Sequence, residues 1–445
     1  MAINCFNVLE FGADAGGIHK STAAIQTAID RCSEVGGGTV LFPNGRYLTG
    51  TIVIKSNVTL LFEVSAVLVG SPDLNDYSRD VHHQRYYGET HTDGCLIFAQ
   101  DAHNIAIEGK GMIDGQGALF GKGANARPML LRFLRCRNVR LAGVRLRNPA
   151  SWTSAFILCD TILAHSLDIV SRANYNGDGL DFDSCQNVIV SDCMFDTSDD
   201  SICLQNSELN HTCRNIAVTN CIMTSKWAAM RIGLLNSGDI EDVTVSNCVF
   251  HDIECSGLKI QSAEGGRISN MVFQNIVMRN VPRPLFITLN HFRMGVDAPP
   301  IPPETGRVSG LSFDNIRIVT DDTVKPNPAS AIVILGTPGH YIDEISISNC
   351  SYLSAGGITS PIENAKSLPE LTDVRPEFLD SSVSPAYGLY ARHVRDLRVS
   401  NLTLDTVQPD CRPAVVLDDV INNETYTCDN DLPGALIRVH NQQEV

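Results

Sequence analysis

Between residues 160 and 280 apolar and polar positions alternate in short bursts that repeat. Asn187-Val188-Ile189-Val190-Ser191-Asp192-Cys193, Asn215-Ile216-Ala217-Val218-Thr219-Asn220-Cys221 and Asp242-Val243-Thr244-Val245-Ser246-Asn247-Cys248 are three copies of one phrase. Each copy has the period-two pattern of a half-buried strand and is bounded by Asn or Asp, residues that suit tight turns. Weaker copies begin near Ile105, Val139, Ile162, Met271, Leu311, Ile345 and Leu397. From Ile162 through Val188, Ile216 and Val243 to Met271 the steps are 26, 28, 27 and 28 residues. That period is too long for a leucine-rich repeat, and its content is too strand-rich for a helical array. It predicts an all-β solenoid whose successive coils pair as parallel strands about 4.8 Å apart. Cys193, Cys221, Cys248 and Cys350 fall at equivalent positions and read as an inward ladder of small apolar side chains. The aligned asparagines read as turn ladders.

Departures from the period mark the rest of the architecture. Ser21 to Cys32 reads as an amphipathic helix with Ser21 as N-cap and an apolar stripe of Ala24, Ile25, Ala28 and Ile29. Solenoids need closed ends, so this helix is expected to belong to an N-terminal cap of about residues 1–35 on a single domain spanning 1–445. Steps of 40 residues from Met271 to Leu311 and 52 from Ile345 to Leu397 require insertions, placed at about 291–306 and 355–390. Such loops shape binding clefts.

Composition narrows the partners. The formal net charge of −16 argues against nucleic acid, whose affinity rests on Lys and Arg at phosphates, though a local cationic pocket can still take an anion. No apolar run approaches a membrane span, so no membrane partner is expected. The first residues lack a signal-peptide pattern; the expectation is a cytoplasmic protein, or a secreted one whose leader is already removed. Fifteen cysteines without a CxxC pair read as reduced, mostly buried thiols.

Candidate chemistry sits in two successive coils. Asn176-Gly177-Asp178-Gly179-Leu180-Asp181-Phe182-Asp183 is followed by Ser198-Asp199-Asp200-Ser201-Ile202-Cys203-Leu204, and Asp178 and Asp200 lie 22 residues apart, about one coil. The same register continues through Met230-Arg231-Ile232 and Leu258-Lys259-Ile260. Leu180, Ile202, Met230 and Leu258 are expected inward, and Asp181, Cys203, Arg231 and Lys259 in an outward column. Asp178, Asp199 and Asp200 would then converge beside Arg231 and Lys259. Crowded carboxylates split their proton affinities, so one can act as acid while another acts as base, the division of labour glycoside hydrolysis needs. The cations suit a substrate carboxylate. Turns with solvated acids, and a calcium cluster, are the other readings of the same residues.

At these residues the chain resembles the polygalacturonase-like glycoside hydrolases of family 28. The resemblance takes in Phe6-Asn7-Val8 through Phe11-Gly12-Ala13-Asp14, the cap helix, Gly36-Gly37-Gly38-Thr39-Val40 and Gly109-Lys110-Gly111-Met112-Ile113-Asp114-Gly115. Its most specific part is Asn176 and Asp178 followed by the pair Asp199 and Asp200. It implies a right-handed parallel β-helix, Asp199 as general acid, and Asp178 with Asp200 holding and deprotonating water in an inverting hydrolysis. Two motifs depart from the family. Trp227-Ala228-Ala229 stands where the family has Gly-His-Gly, and Lys259-Ile260-Gln261 where it has Arg-Ile-Lys. Arg231 replaces a residue that is usually Ser and can restore positive charge.

The expected substrate-binding residues are Asn176, Arg231, Lys259, Trp227 as a sugar-stacking platform, and His291 with Arg293 at the start of the first insertion. His82, His83, Arg85, Tyr86 and Tyr87 read as a solvated loop; a loop that blocks one end of the cleft favours exo-action. The leading expectation is therefore an inverting, exo-acting glycoside hydrolase on pectin-derived or related uronate-containing oligosaccharides, needing no metal or cofactor, with its oligomeric state left open. The alternatives are a rhamnosidase-type hydrolase on rhamnogalacturonan fragments, a calcium-dependent polysaccharide lyase, and a non-catalytic glycan-binding β-helix.

Overall fold

The computed structural model describes residues 4–78, 94–122, 126–293, 301–359, 368–377, 382–422, 424–426 and 437–439. The loop with His82, His83, Arg85, Tyr86 and Tyr87 lies outside the described residues, as do parts of both expected insertions. The chain forms two compact units: Met1–Cys203 with Arg214–Cys221, and Leu204–Cys213 with Ile222–Val445. Both are built from short parallel strands. Among the described residues no helix is long and apolar enough to cross a membrane.

In the first unit the repeat seen in the sequence is the pairing register itself. Ile105 pairs with Val139, Val139 with Ile162, Ile162 with Val188 and Val188 with Ile216. A second ladder runs Leu68, Ile113, Leu146, Ile169, Phe195. A third carries Phe133, Phe156 and Phe182, whose rings stack at 4.9 and 5.0 Å. Because a parallel ladder places like residues over like, one apolar choice per coil fills the interior, and each fully buried ring contributes roughly 2–3 kcal/mol. The turns stack in the same way: Asn104 donates to Asn57 at 2.9 Å, Asn138 to Asn104 at 2.8 Å, Asn187 to Asp160 at 2.8 Å and Asn215 to Asn187 at 2.9 Å. These asparagines hold φ between 54° and 63°, the left-handed region that their short amides tolerate.

The helix spans Thr22–Glu34 and buries Ile25, Ala28, Ile29 and Cys32. Ser21 occupies the N-cap position but makes no side-chain cap bond; its hydroxyl accepts the Asp14 amide at 2.8 Å instead. At φ −101° and ψ 8° Ser21 lacks the extended geometry that turns a cap side chain back onto the helix.

In the second unit Val243, Met271, Leu311, Ile345 and Leu397 pair in series. Asn315 donates to Asn275 and Asn401 to Asn349, at 2.8 and 2.9 Å. A neighbouring ladder brings Met230, Leu258 and Leu285 into one inward column and Arg231, Lys259, Phe286, Val333 and Tyr390 into the outward one. The outward column lies where the sequence placed it and is covered rather than open to solvent. Leu368 and Leu371, from the second insertion, pack on Phe286, Val333, Leu335 and Tyr390 and cover it. Lys259 is 0% exposed and Arg231 9%. Asp181 and Cys203 are also buried.

All fourteen described cysteines are thiols, and Cys193, Cys221, Cys248 and Cys350 are buried as expected of a ladder position.

Candidate active site

The first unit concentrates carboxylates at the strand starts Leu180–Asp183 and just ahead of Ile202. Asp178, Asp199 and Asp200 each present an oxygen within 4.8 Å of the others. Asp178 and Asp200 are buried and Asp199 is half-buried. Backbone bonds between the two turns set this spacing: Gly179 donates to the Asp200 carbonyl at 2.9 Å, Leu180 to that of Ser201 at 3.0 Å, and Asp199 to that of Gly177 at 3.4 Å.

The glycines flanking Asp178 follow from that close stacking. A Cβ on Gly177 would lie 2.2 Å from the Ser171 carbonyl oxygen, and one on Gly179 2.2 Å from that of Ser201. Any side chain there would push the turns apart. Ser198 locks the arrangement by accepting the Gly177 amide at 3.1 Å and donating to the Asn174 carbonyl at 2.7 Å. Thr197 donates to the Asp199 carbonyl at 2.6 Å, and the Asp200 amide donates to the Asp199 carboxylate at 3.0 Å. Asn176, expected at the substrate, is in the left-handed conformation at φ 51°, and its side-chain oxygen accepts from Arg127 at 2.8 Å. Arg127 also donates to the carbonyls of Ala150 and Tyr175.

Three carboxylates this close favour a shared proton, since full ionisation would crowd like charges. One protonated acid and one ionised base is the equipment for protonating a leaving oxygen while activating water. The same three oxygens could instead hold a hard divalent cation, for which carboxylate clusters are the usual ligands.

The second unit holds the other expected residues. The Lys259 ammonium lies 4.3 Å from the Trp227 ring centroid and 3.7 Å from the Cys255 sulfur. Trp227 is half-buried, and its carbonyl accepts the amides of Cys255 and Ser256. Arg231 forms a buried ion pair with Glu377. Arg375 donates to the same carboxylate at 3.1 Å. Burial alone would raise the Glu377 carboxyl, but Arg231, Lys259 and Arg375 outweigh it and hold it at about 2. His291 Nε2 contacts the Pro302 carbonyl at 2.9 Å, and Arg293 is exposed.

Sequence reasoning missed Glu377, Arg375, Arg127 and Asn174. Arg127 and Asn174 support the carboxylate turn from positions outside the repeat phrase. Asn174 donates to the carbonyls of Gly117, Phe120 and Gly121. Glu377 lies in an aperiodic insertion, where no pattern distinguishes one acid from another.

Stacked parallel coils carrying a three-carboxylate cluster define a solenoid equipped for acid and base chemistry. The model of the glycosyl hydrolases family 28 matches residues 32–372, and the chain belongs to that family. It is thus a glycoside hydrolase with the right-handed parallel β-helix fold. A "Probable polygalacturonase" of Vitis vinifera is 26% identical over 420 residues, covering 86% of this chain and 80% of that protein. An "Exo-poly-alpha-D-galacturonosidase" of Dickeya chrysanthemi is 26% identical over 386 residues, covering 73% of this chain and 64% of that protein. Among solved structures, the family 28 exopolygalacturonase of Yersinia enterocolitica superposes with TM-score 0.75 at 22% identity, over 95% of this chain and 78% of that one. The exopolygalacturonase of Thermotoga maritima superposes with TM-score 0.68 at 22% identity, over 91% and 92%. At these identities the superpositions speak for the fold.

Proposed function

We propose that the protein is an exo-acting hydrolase that removes terminal sugars from galacturonan-type acidic oligosaccharides, with Asp178, Asp199 and Asp200 as its catalytic groups. The convergence of these carboxylates within 4.8 Å is the observation that carries the reading. Membership of the family and likeness to the exo-galacturonosidase of Dickeya chrysanthemi support the substrate class.

In this reading Asp199, the most exposed of the three, gives its proton to the leaving glycosidic oxygen. Asp178 and Asp200 hold a water between them, and one takes its proton as the oxygen attacks the anomeric carbon. The bond to the leaving sugar breaks, water supplies the new hydroxyl, and the anomeric configuration inverts. Inversion usually goes with carboxyl groups about 6.5–9.5 Å apart, and retention by direct carboxylate attack with about 5–5.5 Å; the separation here lies nearer the second, so inversion rests on the family resemblance and the anomeric product decides between the two.

The deciding experiment incubates wild type and Asp199→Asn with defined galacturonan and rhamnogalacturonan oligosaccharides, with and without chelator, and follows products by mass and anomeric NMR. The expected result is release of a terminal sugar with water added, inverted at first, lost in the variant and indifferent to chelator. Unsaturated products that vanish with chelator would instead make the cluster a calcium site of a lyase. Binding without turnover by both proteins would make the chain a glycan-binding solenoid.

A further inference from the structure

The turn that carries Asp178 is held from a stretch of chain outside the repeat. Arg127 lies just ahead of strand Met129–Leu134 and is 4% exposed. Its guanidinium spans three acceptors: Nη1 donates to the carbonyls of Ala150, at 3.0 Å, and Tyr175, and Nη2 to the Asn176 side chain at 2.8 Å. The Arg127 carbonyl accepts the Ser151 hydroxyl at 3.1 Å, so the residue is anchored at both ends. All of these groups, and the three carboxylates, belong to the first unit.

The bond to Asn176 fixes which way its amide faces. A guanidinium donates and never accepts, so the atom beside it is the Asn176 oxygen and the NH2 group is turned away from Arg127. Among the described residues Asn176 makes no other side-chain hydrogen bond. It is half-buried, and its NH2 group is not among the sealed polar atoms of the chain. The backbone on either side is held as well: Tyr175 by Arg127, and Gly177 by Ser198 and by the Asp199 amide. Asn176 therefore stands two residues from Asp178 with everything fixed and one donor left to use.

We propose that Arg127 is a positioning residue for sugar binding: by taking the Asn176 oxygen it presents the Asn176 NH2 group as a fixed donor to an acceptor oxygen of the sugar. An unheld amide can turn over and offer its oxygen instead, which loses the bond and costs ordering on binding. With Arg127 in place that ordering is complete before the sugar arrives. The inference rests on the proposed function in one respect, that the sugar is bound beside Asp178.

The test separates orientation of the amide from support of the turn. In an Asp199→Asn background, Kd for trigalacturonate is measured by calorimetry with Arg127→Lys, with Asn176→Gly and with both. Glycine takes φ 51° without strain, so Asn176→Gly removes the amide and spares the turn. Lysine keeps the charge but lacks the planar fork that reaches all three acceptors. Asn176→Gly should weaken binding by about tenfold and Arg127→Lys by about fivefold, and the pair should bind no worse than Asn176→Gly alone. In protein carrying isotope-labelled asparagine, the side-chain amide signal that Asn176→Gly removes should shift in Arg127→Lys. Undiminished binding by Arg127→Lys, losses that multiply in the pair, an amide signal that stays in place, or no binding of trigalacturonate by the parent would overturn the proposal. A fall in Tm with Kd unchanged would also overturn it and make Arg127 a structural staple. Wild-type turnover is scored separately: coupled losses in Kd without any cleavage would sink the hydrolase reading and leave this inference standing.

Discussion

The carboxylate turn of the first unit and the cation face of the second are made in opposite ways. Asp178, Asp199 and Asp200 come from adjacent turns of the repeat and are placed by backbone bonds between neighbouring coils. Arg231 also sits in the repeat, but its partner Glu377 is 146 residues away and arrives on an insertion. The first arrangement can be changed only by disturbing the coil. The second can be re-charged by changing a strap that lies outside the pairing register.

The contrast breaks most sharply if chemistry and stability fail to separate. Asp199→Asn should lower kcat by about a thousandfold, within the range typical of a general acid, while thermal unfolding and oligosaccharide Kd stay nearly unchanged. A parallel loss of stability would make Asp199 a structural acid. Gly179→Ala should instead destabilise the first unit by roughly 3 kcal/mol in urea unfolding, because its Cβ meets a backbone oxygen at 2.2 Å. A cost below about 1 kcal/mol would mean that the turns are less tightly locked than their hydrogen bonds imply.

Acid sharpens the comparison from the other side. The Glu377 carboxyl is held at about 2, below its ordinary 4.5, so its folded-state value is depressed. Its contribution is complete above the unfolded value and is lost as pH falls from about 4.5 toward 2. Glu377→Gln should therefore flatten the wild-type decline in Tm across that window, removing a contribution of up to about 3 kcal/mol. Parallel Tm curves would show the ion pair to be energetically neutral, as buried pairs can be. Asn215→Ala should have the smallest effect, about 1 kcal/mol, since it breaks one ladder bond at an exposed turn and puts Ala at φ 59°; a null result would show that this asparagine adds neither bonding nor conformational stability there.

What was legible in the sequence follows the same division. Val139, Ile162, Val188 and Ile216 could be aligned by eye because one side chain per coil faces the interior, and they pair as aligned. Asp178 and Asp200 could be stacked for the same reason. The outward side of Arg231 and Lys259 was legible, but their burial was not, because alternation gives the side of a strand a residue is on and says nothing of what lies over it. The cover comes from residues 368–377, which Arg392, Thr337 and Asn290 hold through backbone carbonyls, and a carbonyl leaves no mark on sequence. Asn176 was visible as a motif position; the way its amide faces needed coordinates.

The strap also alters how the second unit can come apart. A solenoid held only by nearest-neighbour coils frays from its end one coil at a time. A segment tied to Arg392, Thr337, Asn290 and Arg231 in turn joins coils that are not neighbours, so opening at the Arg392 end loosens the hold on Glu377. Amide hydrogen exchange across those coils should then report one cooperative opening rather than a gradient, and the charge seen at Arg231 becomes a readout of whether the far end is closed.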